Sequence, residues 1–497
     1  MMHNEPAFSK LIYEYLVLRF RFRYYQCGDS LPSIDDMCRK FRVSPLTVKA
    51  ALKRLEQEHY VSIRHGKCTK VTYEQSDEAY DKFKKDFFAA KIPMYSDFQE
   101  ALDLIFCPLY VASFQRMEQE DFTYLKRITE RLDFDDLTNF YHYILQKTEN
   151  PLALNLFWET ALYLGFPSII KIEIPTFYNV ERLKEHMRQL IKSGQKKNPK
   201  LIYDSQHALE RDITGEFIKY LAEQMPGKTT ESVSFHWRIY RDRPQICYNL
   251  ATRILHHIYV GDYRKDKFLP SYQAMAEKYQ ASVSTIRRTI RLLNEIGAVQ
   301  SVNGKGTRIL SLEEQGHEPN FSHPAVRRNL AYFIQAFELL KFSIEGVSRA
   351  AFPFLPTAEK NNLISRMETH LQTRRCELVS SELLACISAY CHFAELREVY
   401  EKLYRLMLWG APLIRHRREA SDMREMTAQF TKEMISSLKN EDFENCAKLL
   451  AGLFAQQYPI AEAYLYRQGM KPEELRLPPA ISFMSASDSK DYKKKEI

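Results

Sequence analysis

The chain has 497 residues, 45% of them hydrophobic and only 15 glycine, and a net charge of +8. That length suits roughly three or four domains, and few glycines with many leucines, glutamates, lysines and arginines favour a helix-rich protein. No apolar run nears the roughly 18 residues that span a bilayer, and residues 1–10 lack a signal-peptide pattern. The expected location is therefore the cytoplasm, with no membrane partner. Nine scattered cysteines without a Cys-x-x-Cys pair read as reduced thiols.

In chain order, residues 8–26 carry Leu11, Ile12, Tyr15, Leu16, Leu18 and Phe22 near a 3.6-residue period, which predicts an amphipathic helix. Gly28-Asp29 breaks it. Leu31-Pro32-Ser33 opens a short second helix over 34–41, with Ser33 as its N-cap. Ser44 is placed to cap a third helix, with Pro45 at the first helical position, where its missing N–H costs little. That helix runs to about residue 58 and buries Val48, Ala51, Leu52 and Leu55. Alternation over 60–64 and 68–73 then predicts two strands joined at His65-Gly66-Lys67. Three helices and a basic hairpin make a winged helix-turn-helix, whose third helix enters the major groove and whose wing lies along phosphates or the minor groove.

A helical stretch follows, with helices expected over 97–118, 121–131, 135–148, 151–163, 180–193 and 200–224, enough for a bundle. Then the first motif returns. Residues 31–70 and 269–308 align at a constant offset of 238, and 12 of the 40 pairs are identical. Leu269-Pro270-Ser271 repeats Leu31-Pro32-Ser33, and Gly304-Lys305 repeats Gly66-Lys67. A fixed long period sets the architecture before any local detail. The second copy has a helix with Ile246, Leu250, Ile254, Leu255 and Ile258 on one face, a third helix capped by Ser282, and an Asn303-Gly304 hairpin turn. Further helices are expected over 325–343, 357–374, 380–392, 394–408, 421–438 and 441–457.

The predicted fold is mainly α: winged helix-turn-helix domains over 1–75 and 235–312, helical bundles over 76–234 and 313–478, and a disordered tail over 479–497. Charge follows the repeat. Residues 1–75 hold 13 Lys and Arg against 8 Asp and Glu, and residues 235–312 hold 13 against 5. Such an excess on the repeated units suits the phosphate backbone of double-stranded DNA. The expected DNA contacts are Ser44, Thr47, Lys49, Lys53 and Lys67 in the first copy. In the second they are Ser271, Ser282, Ser284, Thr285, Arg287, Arg288, Arg291, Lys305 and Thr307.

Both units resemble the DNA-binding domain of GntR-family bacterial transcription regulators. The residues that carry the likeness are Leu-Pro-Ser, Val43-Ser44-x-x-Thr47-Val48-Lys49, the apolar Ala51-Leu52-x-x-Leu55, and the wing Gly66-Lys67-x-Thr69. The first copy has Asp35 and Pro45 where the family usually has arginine, and the second keeps Arg287 and a Gly-x-Gly-Thr wing. The first bundle is similar to a degenerate FadR-type ligand-binding domain, through Phe140-Tyr141-His142, Asn150-Pro151-Leu152, Glu185-His186 and His207. In that branch three histidines and an aspartate hold a metal. The resemblance therefore implies a divalent ion, zinc or nickel, on His142, His186 and His207, although Thr138 replaces the aspartate.

The resulting expectation is a sequence-specific transcription regulator whose two modules read operator half-sites, with a small-molecule effector and a homodimer as further partners. The runner-up is a replication or partition initiator that uses two winged helices as a clamp. The chain has no Gly-rich phosphate loop, no His-Glu-x-x-His and no nucleophile elbow, so it does not read as an enzyme.

Overall fold

The computed structural model describes residues 7–41, 43–64, 68–89, 91, 95–132, 136–165, 178–224, 233–239, 246–310, 318–416 and 421–476. The expected tail and the first wing tip, with Lys67, lie outside these. The chain divides into two compact units, one up to Arg243 and one over Pro244–Leu477.

The first unit opens with α1 (Ala7–Arg21), α2 (Ile34–Phe41) and α3 (Pro45–Gln57), then the antiparallel pair β1 (Val61–Ser62) and β2 (Lys70–Val71). Helix α1 stops five residues before the predicted end, because Arg23 turns left-handed at φ 56°. The apolar stripe of α1 (Leu11, Ile12, Tyr15, Leu16) packs on Val48, Leu52 and Leu55 of α3. Helix α4 (Asp77–Ala89), which the sequence reading missed, covers the end of α1. Phe22 meets the rings of Phe83 and Phe87 at 5.0 Å each, the Arg21 guanidinium lies 4.0 Å from the Phe83 ring, and Arg23 pairs with Asp77 at 2.7 Å. The arginines of this stretch thus serve packing, where cation–π contacts contribute about 0.5–2 kcal/mol each.

The bundle follows as α5 (Tyr95–Arg116), α6 (Gln119–Arg131), α7 (Asp136–Gln146), α8 (Pro151–Leu164), α9 (Val180–Gln195) and α10 (Pro199–Gln224). Asn150 caps α8 by accepting from the backbone of Leu152 and Ala153, with Pro151 at the first helical position. Trp158, Ala161 and Leu162 of α8 complete the core of the DNA module, so bundle and module share one apolar cluster. Residues 235–238 belong here as well. Trp237 Nε1 donates to Asn155 Oδ1 at 2.8 Å, Phe235 packs between Phe98 and Tyr163, and Arg238 forks onto Glu14 at 2.9 and 3.0 Å. These contacts tie residues 235–238, which the sequence reading assigned to the second module, to the first unit.

The second unit repeats the order: α11 (Ile246–Tyr259), a 3-10 turn (Asp262–Lys265), α12 (Tyr272–Tyr279), α13 (Val283–Glu295), and the hairpin β3 (Val299–Val302) and β4 (Gly306–Ile309). Its bundle comprises α14 (Pro324–Ala351), α15 (Thr357–Gln372), α16 (Val379–Tyr390), α17 (Ala394–Met407), α18 (Ser421–Lys439), α19 (Phe443–Arg467) and α20 (Pro472–Leu475). The module docks on it through Trp409 Nε1, which donates to Thr252 Oγ1 at 3.0 Å, and through His256 and the Tyr404 hydroxyl at 2.7 Å. Helix α19 runs ten residues past the predicted end, through Pro459, because Ala461, Tyr464 and Leu465 beyond it are buried.

The two modules repeat their backbone hydrogen bonds with the register of the sequence. Leu31 N bonds Thr69 O at 2.9 Å, and Leu269 N bonds Thr307 O at 2.8 Å. Val71 N bonds Asp29 O, and Ile309 N bonds Lys267 O, each at 2.9 Å. The residue before each Leu-Pro-Ser also pairs with the wing, as Ser30 with Lys70 and Phe268 with Arg308. The turn after the third helix needs a left-handed residue in both, which is His59 at φ 63° in one and Gly297 at φ 79° in the other.

Candidate nucleic-acid interface

Each recognition helix begins on a serine cap. Ser44 Oγ accepts from Thr47 N at 3.4 Å, and Ser282 Oγ accepts from Thr285 N at 3.1 Å. These bonds satisfy an N-terminal amide that the helix cannot satisfy itself. With Ile286, Ile290 and Leu293 of α13 turned inward, Ser284, Arg287, Arg288 and Arg291 stand exposed on the other side. None of these three arginines has an ion pair among the described residues, so their guanidinium forks are available. On α3 the matching positions are Leu46, Lys49, Ala50 and Lys53, of which Lys49 and Lys53 are exposed and Leu46 is 74% exposed. Arg54 is not available in this way: its Nε binds Glu58 at 3.1 Å and its guanidinium lies 4.0 Å from the Tyr13 ring.

The second wing is a four-rung hairpin with Val302 opposite Gly306. Exposed Lys305 sits at its tip beside Gly304, whose φ of 72° is what the tight turn demands. Ser271 is exposed and caps α12 by accepting from Ala274 N at 3.2 Å.

Two of the residues expected to contact DNA face inward instead. Thr47 is only 8% exposed, and its hydroxyl is 3.0 Å from that of Ser44, so it closes the helix cap from inside. Thr307 is 3% exposed. Strand alternation turns its side chain into the module, as it turns Thr69, 7% exposed, at the matching place. Motif position alone does not distinguish a threonine that holds the wing from one that touches DNA. Thr285 remains half-exposed.

The three histidines of the first bundle are not brought together. His142 is fully buried; Trp158 Nε1 donates to its Nδ1 at 3.0 Å, and its Nε2 is 2.8 Å from the Gln146 amide. A ring that accepts on Nδ1 carries its proton on Nε2, which the Gln146 amide accepts with its oxygen turned toward the ring, so neither nitrogen keeps a lone pair for a metal. His186 Nε2 lies 3.1 Å from Asp212, and His207 Nδ1 lies 3.2 Å from Asp103. Among the described residues no group of three or more His, Cys, Asp or Glu is arranged for a metal ion. The residues present do not fit the expected zinc or nickel.

What the bundle does contain is a cavity of about 130 Å³ between α5, α7, α8 and α10. Two carboxylates that sequence reasoning passed over, Asp103 and Glu210, line it. Burial pushes both well above the usual carboxylate range, and for Glu210 the neighbouring charge of Asp103 adds to the rise. Gln206 Nε2 donates to Glu210 at 2.8 Å and to the Tyr141 hydroxyl at 3.3 Å. The available signal was their spacing. Asp103 sits between Leu102 and Phe106, and Glu210 between Leu209 and Ile213, on the inward faces of their helices.

The family described as bacterial regulatory proteins, gntR family, matches residues 8–71 and again residues 248–309. The chain carries two GntR-family domains. The two matched stretches are the winged helices described above, and a match to a family of regulatory proteins supports DNA binding by these modules. Comparison with curated proteins gives no significant match. Among solved structures, Lar, which controls expression of the Listeria monocytogenes agr system, is 17% identical over 44% of this chain and 95% of its own, with a TM-score of 0.23. Streptococcus agalactiae GntR is 18% identical over 43% and 99%, with a TM-score of 0.21. E. coli McbR/YncC is 16% identical over 44% and 98%, with a TM-score of 0.24. Among the described residues no helix is long and apolar enough to cross a membrane.

Proposed function

We propose that the two GntR-type modules of one chain read two unequal operator half-sites, and that a small effector bound in the first bundle sets their DNA affinity. The observation that carries the first part is the exposed face of α13, with Ser284, Arg287, Arg288 and Arg291, against Leu46, Lys49, Ala50 and Lys53 on α3. Arginine can bond guanine O6 and N7 with both arms, worth roughly 1–3 kcal/mol of discrimination, whereas lysine contributes a point charge. Leu46 offers only apolar contact, of the kind a thymine methyl takes. Helices that differ in this way favour different bases.

Effector control is supported by the cavity in the bundle whose α8 shares its core with the first module. A ligand that favours one arrangement of that shared core changes DNA affinity by linkage. The test selects binding sites from random duplexes with the intact chain, then measures the protein-to-duplex ratio. Two dissimilar half-sites occupied by one chain are expected. A perfect palindrome bound by two chains would overturn the one-chain reading.

A further inference from the structure

The wall of the first-bundle cavity is unusual in composition. Rings from four helices surround it, among them Phe98, Phe106, Tyr110, Tyr141, Phe157 and Phe217. Among the described residues no lysine, arginine or histidine lines it, while Asp103 and Glu210 do. An anionic ligand would meet two acids on the wall, with His207 behind Asp103 at 3.2 Å and not in the lining. A purely apolar ligand would leave Asp103 with His207 at 3.2 Å and Glu210 with Gln206 at 2.8 Å as partners and their remaining lone pairs facing hydrocarbon, an unfavourable burial of polar groups. Thr160 adds an independent sign: 6% exposed on the cavity wall, its hydroxyl has no hydrogen-bond partner among the described residues. Buried hydroxyls are nearly always satisfied, so an unclaimed one facing a cavity marks a place for a ligand or water.

The second bundle lacks this arrangement. The capping residues Asn198 and Asp442 hold the last long helix of each bundle in the same way, through the backbone N–H three residues on. They are 244 residues apart, and that offset sets Glu210 against Phe454, which packs on Phe337 at 5.3 Å. An aromatic ring fills the position that a carboxylate holds in the first bundle.

We propose that the first-bundle cavity binds a small organic ammonium ion with an apolar body, its nitrogen between Asp103 and Glu210 and its body against the rings. The bound cation favours the ionised carboxylates, so its entry releases a carboxyl proton to solvent, and ring faces, which carry negative quadrupole density, hold such ions well once desolvated. The Thr160 hydroxyl accepts a second N–H. For scale, a dry cavity of about 150 Å³ holds benzene, so a cavity of about 130 Å³ limits the ligand to about one small ring, with the amine at its mouth. This inference rests on the reading of the bundle as an effector site, and it specifies the class of effector.

Benzylamine, benzyl alcohol and benzoate, matched in shape, are titrated into the full chain by calorimetry, and operator affinity is measured with and without each. Wild type is compared with Glu210→Gln and with Asp103→Asn, whose folding is checked by unliganded DNA binding. Benzylamine is expected to bind roughly tenfold or more tighter than the alcohol, with benzoate not binding, and each variant to weaken the amine by about tenfold while sparing the alcohol. Equal or tighter binding of alcohol or benzoate, an amine affinity unchanged in both variants, or no binding of any probe would overturn the ammonium site. Amine binding that leaves operator affinity unchanged supports the site and removes effector control. Alcohol or benzoate that binds and shifts operator affinity does the reverse.

Discussion

Replacing Glu210 by glutamine changes how stability depends on pH. Burial, with Asp103 nearby, raises the Glu210 carboxyl from 4.5 to about 8 in the folded chain. A carboxyl raised on folding contributes its full stability below the unfolded value, where both states are protonated, and that stability is lost as pH rises through the folded value. Between those limits the unfolded chain is ionised and the folded chain is not, which costs about 1.4 kcal/mol per pH unit. From about pH 5 to about pH 8 that slope gives a loss of at most about 4 kcal/mol, less to the extent that the charge of Asp103 and the partly open cavity wall share it. Glutamine keeps an oxygen for the Gln206 amide, bonded at 2.8 Å in the parent, and cannot ionise. Unfolding followed by tryptophan fluorescence should show wild type losing stability over that range and Glu210→Gln losing much less, the variant being the more stable at the alkaline end. Parallel pH profiles for the two proteins would refute the reasoning.

Arg287→Ala should weaken operator binding by about 1–3 kcal/mol and relax base preference in one half-site only, whereas Lys305→Ala should weaken all duplexes alike and lower the salt slope by about one. Competition binding at several salt concentrations separates them. Trp158→Phe removes the donor to buried His142 Nδ1 and should cost about 1–3 kcal/mol, read by denaturant unfolding with and without chelator. Equal loss in both conditions is expected, and protection by zinc or nickel in wild type alone would restore the metal reading. Gly297→Ala forces a β-carbon into a left-handed position at φ 79° and should destabilise by about 1–2 kcal/mol. His59→Ala at the matching turn should change stability far less, since a side chain already occupies φ 63° there.

The DNA modules were legible almost residue by residue, because each element is set by local chemistry: a serine cap, an inward stripe at helical spacing, a glycine at the wing. The constant offset of 238 survives as the same backbone bonds. Where sequence reasoning failed, the deciding contact was distant. Helix α4 forms against the end of α1, with Phe22 between Phe83 and Phe87. Helix α19 passes Pro459 because its far end is buried. The histidine spacing of the first bundle matched a metal set, yet Trp158, on the next helix, claims His142. Asp103 and Glu210, over a hundred residues apart, give no local sign that they share a cavity.

A regulator that dimerises from identical chains has its two readers encoded by one sequence. Any change in the recognition helix alters both halves at once, and the operator must change in two places to follow. Here α3 and α13 are written separately, and they already differ at every outward position, from Leu46 against Ser284 to Lys53 against Arg291. A mutation in one leaves the other's preference intact. If the two modules read the two half-sites of one operator, as proposed, the duplication halves the mutational step between one operator and the next, letting one side drift while the other keeps its grip.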